Sequence, residues 1–167
     1  MSDAPEVTPM VAPPAPYGNY MNPAFAGMKG DSTEDQVATF AANAAIGFGL
    51  VCSRTAAGAL TIVAGGALPI GVSLQDHTIA SRGGYTQYDA VSILEKGKAW
   101  MLVKDATNVD DGVYVNFDPA TGQATAGTGT VLPKAVFRSK AISVYDITYT
   151  TTTLVALVEL SYGLAVG

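Results

Sequence analysis

The chain has 167 residues, of which 49% are hydrophobic, only 14% charged, and the net charge is −5 at pH 7. That length suits one domain with a real core, and the apolar share excludes disorder throughout. Nine basic residues scattered singly exclude the patch of Lys and Arg that phosphate neutralisation requires, so no nucleic-acid partner is expected.

Low charge has a second implication. Globular chains average about 25% charged residues, and interface cores are depleted in Lys, Glu and Asp. A chain this charge-poor, with mean hydropathy +0.27, is expected to cover part of its surface with a partner. No uncharged apolar run reaches the length of a membrane span. The start, MSDAPEVTPMVAPPAP, lacks a basic and then apolar leader pattern, so synthesis and folding in a cytoplasm are expected.

Residues 1–30 read as an extended arm and residues 31–167 as a single β domain. Six prolines fall between Pro5 and Pro23, and proline removes backbone donors while fixing φ, which favours polyproline character. Tyr17, Tyr20, Met21, Phe25 and Met28 are apolar side chains that such an arm cannot bury by itself. They point to docking on something else, such as a neighbouring subunit.

Residues 31–45 admit two readings. Val37, Phe40, Ala41 and Ala44 have helical spacing after a cap at Ser32 or Thr33. Asn43 and the run Ile46-Gly47-Phe48-Gly49 argue for an extended entry into a strand, and periodicity leaves both open.

From Ile46 onward the pattern is β. Ile46, Phe48 and Leu50 alternate with Gly47, Gly49 and Val51, and Leu60 and Ile62 with Thr61 and Val63 before a Gly65-Gly66 turn. Leu68, Ile70, Val72 and Leu74 are predicted to share a face, with Pro69 marking an edge or a bulge. Val91–Leu94 and Ala99–Val103 are predicted strands, joined by a tight hairpin through Gly97. Val113, Val115 and Phe117 share a face, and Phe117-Asp118-Pro119-Ala120-Thr121-Gly122 is a strong turn signal. Residues 134–145 and 154–161 complete the set. Leu154, Ala156, Val158 and Leu160 alternate with Val155 and Leu157, so the last strand should be central. Short strands with turns about every ten residues predict a mainly β fold, a small antiparallel barrel or sandwich carrying the extended Pro-rich N-terminal arm.

Chemistry is poorly provided for. Cys52 is the one cysteine, which excludes an intramolecular disulfide and reads as a buried small hydrophobe. His77 is the one histidine, and beside Asp76 it reads as a loop hydrogen-bonding residue rather than a catalytic base. Zinc lacks its ligand set, and the carboxylates at Asp31, Glu34 and Asp35 and at Asp110 and Asp111 lack an EF-hand spacing. No phosphate-cradling motif occurs, and Trp100 reads as a core or interface residue. No catalytic residue, metal or cofactor is expected.

The order of segments carries a resemblance. Ile46-Gly47-Phe48-Gly49-Leu50-Val51 precedes Gly71-Val72-Ser73-Leu74-Gln75-Asp76-His77-Thr78. Then come Tyr88-Asp89-Ala90-Val91-Ser92-Ile93-Leu94, Gly97-Lys98-Ala99-Trp100 and Gly112-Val113-Tyr114-Val115. Phe137-Arg138-Ser139-Lys140-Ala141 and Ala156-Leu157-Val158-Glu159-Leu160 close the series. Over roughly residues 20–162 this is similar to the structural cement proteins of tailed phages. Tyr149-Thr150-Thr151-Thr152-Thr153 looks like an insertion between the last two strands.

The resemblance implies an extended conformation for residues 36–46. It implies a virion protein on the outer surface of an assembled icosahedral shell, bridging capsomers. The implied partners are the major capsid protein and further copies of the chain, with trimers expected ahead of dimers. The arm residues Tyr17, Tyr20, Met21, Pro23 and Phe25 are the candidate contacts with a capsid subunit or an adjacent copy. The alternative is a receptor- or carbohydrate-binding β module on the virion, with Tyr85, Tyr88 and Trp100 stacking on sugars. A small hydrolase is a third reading, which lacks its base.

Overall fold

The computed structural model describes residues 24–31, 34–146 and 151–161. Among the described residues twelve strands run in chain order: β1 (Gln36–Ala42), β2 (Ile46–Gly47), β3 (Val51–Arg54), β4 (Thr61–Ala64), β5 (Pro69–Ser73), β6 (Gly84–Tyr85), β7 (Ala90–Leu102), β8 (Tyr114–Phe117), β9 (Ala124–Thr125), β10 (Thr130–Phe137), β11 (Ile142–Asp146) and β12 (Thr151–Leu160). A 3-10 helix occupies His77–Arg82. The fold is mainly β, as the alternation and turn spacing predicted.

Strands β1, β4, β3, β5 and β7 pair in that order, and β1 pairs back onto β7. This closes a five-stranded barrel and removes its edges. Its pairs are antiparallel except β1–β4, which is parallel. A second sheet continues from the same long strand as β7-β12-β10-β8-β9, with β11 beside β12.

Strand β7 therefore serves both halves. Ala90–Lys96 pairs with β1, and Gly97–Leu102 pairs with β12. The predicted hairpin at Gly97 is corrected: the chain bends there and runs on. Gln36 pairs with Lys96 but Val37 with Leu94, so Glu95 is an extra residue that shifts the side-chain alternation. Gly97 follows with φ 127°, a conformation open to glycine. Val91 and Ile93 consequently fill the barrel, while Ala99 and Met101 face the core between barrel and sheet.

Residues 36–42 form a strand, which decides between the two readings in favour of the extended one. Phe40 and Ala42 point into the barrel with Ala38 packed behind them. The predicted strand over 46–51 is broken instead. The chain turns at Phe48-Gly49, and the buried Ser73 hydroxyl holds the turn, donating to the Gly47 carbonyl at 2.7 Å and accepting from the Leu50 N–H at 3.1 Å. The face predicted for Leu68, Ile70, Val72 and Leu74 is broken too. Cys52 pairs with Gly71 but Ser53 with Pro69, which leaves Ile70 as a bulge turned into the barrel. Pro69 marks that bulge, at the start of a strand flanked on both sides by β3 and β7.

Strand β12 lies between β7 and the β10–β11 side, the central place predicted for it. Ala156, Val158 and Leu160 face the main core, and Val155 faces the opposite side. Thr151–Thr153 belong to this strand, paired with Asp146–Val144.

Candidate docking surface

Of the predicted contact residues, Tyr17, Tyr20, Met21 and Pro23 lie outside the described residues; Phe25 lies within them. The segment that includes it, Ala24–Gly30, is laid along the free side of β7. The Gly27 N–H donates to the Trp100 carbonyl at 2.8 Å, and the Trp100 N–H returns a bond to the Met28 carbonyl at 2.9 Å. The Gly30 N–H donates to the Lys98 carbonyl at 2.7 Å, and the Gln75 N–H donates to the Gly27 carbonyl at 3.0 Å. These bonds occupy an edge that β7 would otherwise leave open.

Glycine is required at position 27. Its φ is 83°, and a Cβ there would stand 2.7 Å from the Gln75 nitrogen and 3.0 Å from the Phe48 Cβ. Apolar contacts complete the attachment. Ala24 is buried with Val144 and Val155, and Ala26, Met28, Trp100, Leu102 and Ile142 pack around them. Lys29 pairs with Asp35 at 2.5 Å and Lys98 with Asp31 at 3.3 Å, both partly exposed. Such pairs contribute about 0–1 kcal/mol, so backbone bonding and apolar burial hold this root.

Phe25 is 39% exposed. Its ring stands edge-on to His77, with centroids 6.5 Å apart. The hydrogen-bonding role expected of His77 falls to Asp76, whose carboxylate accepts from the Thr78 N–H at 2.8 Å and the Thr78 hydroxyl at 2.7 Å. These bonds cap the 3-10 helix and hold the Asp76 carboxyl below the usual carboxylate range.

Several other chemistry-bearing side chains are engaged within the chain. Cys52 is buried, and desolvation pushes its thiol up to about 12, against a weaker lowering contact from Ser73. Asp110 pairs with Lys140 at 3.3 Å, and Arg138 reaches Glu159 at 2.7 Å and Asp111 at 3.8 Å. An open groove of about 400 Å³ runs beside Lys104 and Asp118. Its acids are engaged: Asp118 with Lys104 and the Ala120 N–H, Asp105 with Thr107. Among the described residues no group of three or more His, Cys, Asp or Glu side chains is placed to hold a metal.

The sugar-stacking trio does not assemble. Tyr85 is buried in the barrel, with its ring edge-on to Phe48 at 5.4 Å and its hydroxyl donating to the Leu74 carbonyl at 2.6 Å. Trp100 is half-buried against the arm root, which leaves Tyr88 alone exposed.

A family model described as structural cement protein (E217 gp24/Pam3 gp6) matches residues 13–162. The chain belongs to the structural cement protein family. The match begins inside the Pro-rich segment and so takes in all five predicted contact residues as well as both sheets. A comparison with curated proteins found no match. Membership implies a structural role in association with the phage capsid.

The sequence reading missed two features of this surface. One is the pairing of Ala24–Gly30 with β7, whose available signal was the pair Gly27 and Gly30 just after the last proline of the arm, where backbone donors return. The other is the left-handed backbone of the exposed Tyr88, φ 72°, for which residue type gives no signal.

Proposed function

We propose that this cement-family chain binds the outer surface of the assembled icosahedral shell, bridges neighbouring capsomers and stabilises the shell against genome pressure. The observation that carries the reading is the family match across residues 13–162, arm and β domain together. The charge-poor composition supports it, because a surface with few Lys, Glu and Asp suits a partner. The major capsid protein is the partner, and the chain acts as a homotrimer in preference to a dimer.

The physical mechanism is linkage. A ligand that binds the intact shell and not its separated subunits stabilises it by RT ln(1 + [L]/Kd), about 2.7 kcal/mol at a hundredfold excess over Kd. Oligomers that grip several capsomers at once add an effective-concentration gain.

The arm residues Tyr17, Tyr20, Met21, Pro23 and Phe25 make the contact with a capsid subunit or an adjacent copy. A fixed root supports this reading: Ala24–Gly30 is bonded to β7, so whatever the arm grips is coupled to the β domain. The test is binding to undecorated shells by the full chain and by a variant lacking residues 1–23, which keeps the root. Strong binding by the full chain and weak binding by the variant is the expected result. Equal binding removes the arm from the contact, and absence of binding by the full chain removes the cement reading itself.

A further inference from the structure

We propose that the turn Thr86–Asp89 is a preformed second anchor, which inserts Tyr88 into an uncharged, apolar pocket of the same shell surface. The inference rests on the cement reading and adds to it a contact residue in the β domain.

Tyr88 combines two unfavourable features. Its φ is 72°, the left-handed region, where a bulky residue is an outlier. It is also 79% exposed, the highest value among the large exposed hydrophobics of the described residues. An aromatic ring in water gains nothing from burial, so packing within the chain does not explain the strained backbone.

The surroundings hold the strain in place. The Asp89 carboxylate accepts from the Thr86 N–H at 2.8 Å, the Thr86 hydroxyl at 3.1 Å and the Arg82 guanidinium at 3.0 Å. The Tyr88 N–H donates to the Ala42 carbonyl at 2.7 Å, and the Ala42 N–H donates to the Asp89 carbonyl at 2.9 Å. The turn is thus tied to the end of β1 and needs little ordering when it binds, which is how rigid aromatic anchors gain affinity.

Two observations select the partner. The exposed residues Asn43, Ala44, Ala45, Thr86, Gln87 and Ala90 around the contact are uncharged, and the two charges beside them, Arg82 and Asp89, neutralise each other in an ion pair at 3.0 Å, which fits an apolar protein pocket. The turn is also continuous with the arm root. Phe25 leans on His77, His77 opens the 3-10 helix, and that helix ends at Arg82, which pairs with Asp89. A shell subunit seated on Phe25 would meet the Tyr88 turn across one connected stretch of surface.

The variants Tyr88→Asn and Tyr88→Gly separate binding from folding, because both residues accept positive φ and both delete the ring. The measurements are thermal midpoint, sedimentation of the isolated chain, and affinity for undecorated shells made of the capsid subunit alone. The expected result is a midpoint equal to or above that of the parent for Tyr88→Asn, unchanged sedimentation, and binding weakened about tenfold or more in both variants. Tyr88→Phe is expected to bind close to the parent. Parent-like affinity of the Asn and Gly variants, while the parent itself binds, overturns the inference and leaves the cement reading standing. A lowered midpoint in both variants overturns it as well, since Tyr88 then acts in folding. Loss of an oligomer reassigns the pocket to a second copy and overturns the shell assignment. No binding by the parent overturns the cement reading, and this inference falls with it.

Discussion

On the open side of β7 the Gly27 N–H donates to the Trp100 carbonyl at 2.8 Å, and the Trp100 N–H returns a bond to the neighbouring Met28 carbonyl at 2.9 Å. That pairing makes the end of the Pro-rich segment a part of the β domain. Gly27→Ala puts a Cβ against the Gln75 nitrogen and the Phe48 Cβ at a residue with φ 83°. The expected cost is about 1–3 kcal/mol, read as a lower thermal midpoint together with faster proteolytic cleavage between residues 24 and 30. An unchanged midpoint and cleavage rate would mean the root is not held as described.

Cys52 gives a prediction about reactivity. The thiolate is the nucleophile, and burial pushes this thiol up to about 12. Iodoacetamide at pH 8 is expected to leave the folded chain unlabelled and to label it rapidly in denaturant, measured by intact mass. Labelling of the folded chain at the rate of a free thiol would contradict the buried placement.

The acid limb of stability follows from the turn carboxylates. Asp89 is held below the usual range first by the Thr86 N–H, and the Arg82 guanidinium adds to this. Asp118 is lowered first by its bond to Lys104, Asp105 first by the Thr107 hydroxyl, and Asp110 first by the Asp111 N–H. A carboxyl whose folded pKa is depressed contributes stability that is fully present above its unfolded value, about 3.9. That contribution is lost as pH falls through the folded pKa. The thermal midpoint is therefore expected to stay flat from pH 7 to about 5 and to fall below about 4, with a shallower fall in Asp89→Asn. An identical fall in that variant would remove Asp89 from the explanation.

How much of this was legible in the sequence depends on the range of the interaction that decides each element. The turn at Phe117–Gly122 is local, and it formed as predicted: Asp118 accepts from the Ala120 N–H at 2.9 Å, and the Gly122 N–H donates to the Asp118 carbonyl at 2.7 Å. The doubly apolar run Leu154–Leu160 likewise required a strand covered on both faces. The bend of β7 was not legible, because Gly97 in a hairpin and Gly97 beside a bulged Glu95 are the same letters. Only the pairing of β1 with β7, about sixty residues apart in sequence, distinguishes them. The break at Phe48-Gly49 had the same origin, since the hydroxyl that holds it belongs to Ser73. At the candidate docking surface, the composition of the arm was legible, whereas the attachment of its root to β7 depends on a strand some seventy residues away.

On the proposed function, this cement-family chain stabilises an assembled shell by binding to it. The most direct measurement adds the purified full chain to undecorated shells and follows both the copies bound per shell and the temperature at which the shells rupture. Saturable binding at a symmetry-related copy number, with a rupture temperature that rises with free protein as linkage requires, is the predicted result. Saturable binding with an unchanged rupture temperature, or no binding at all, would rule out shell stabilisation by this chain.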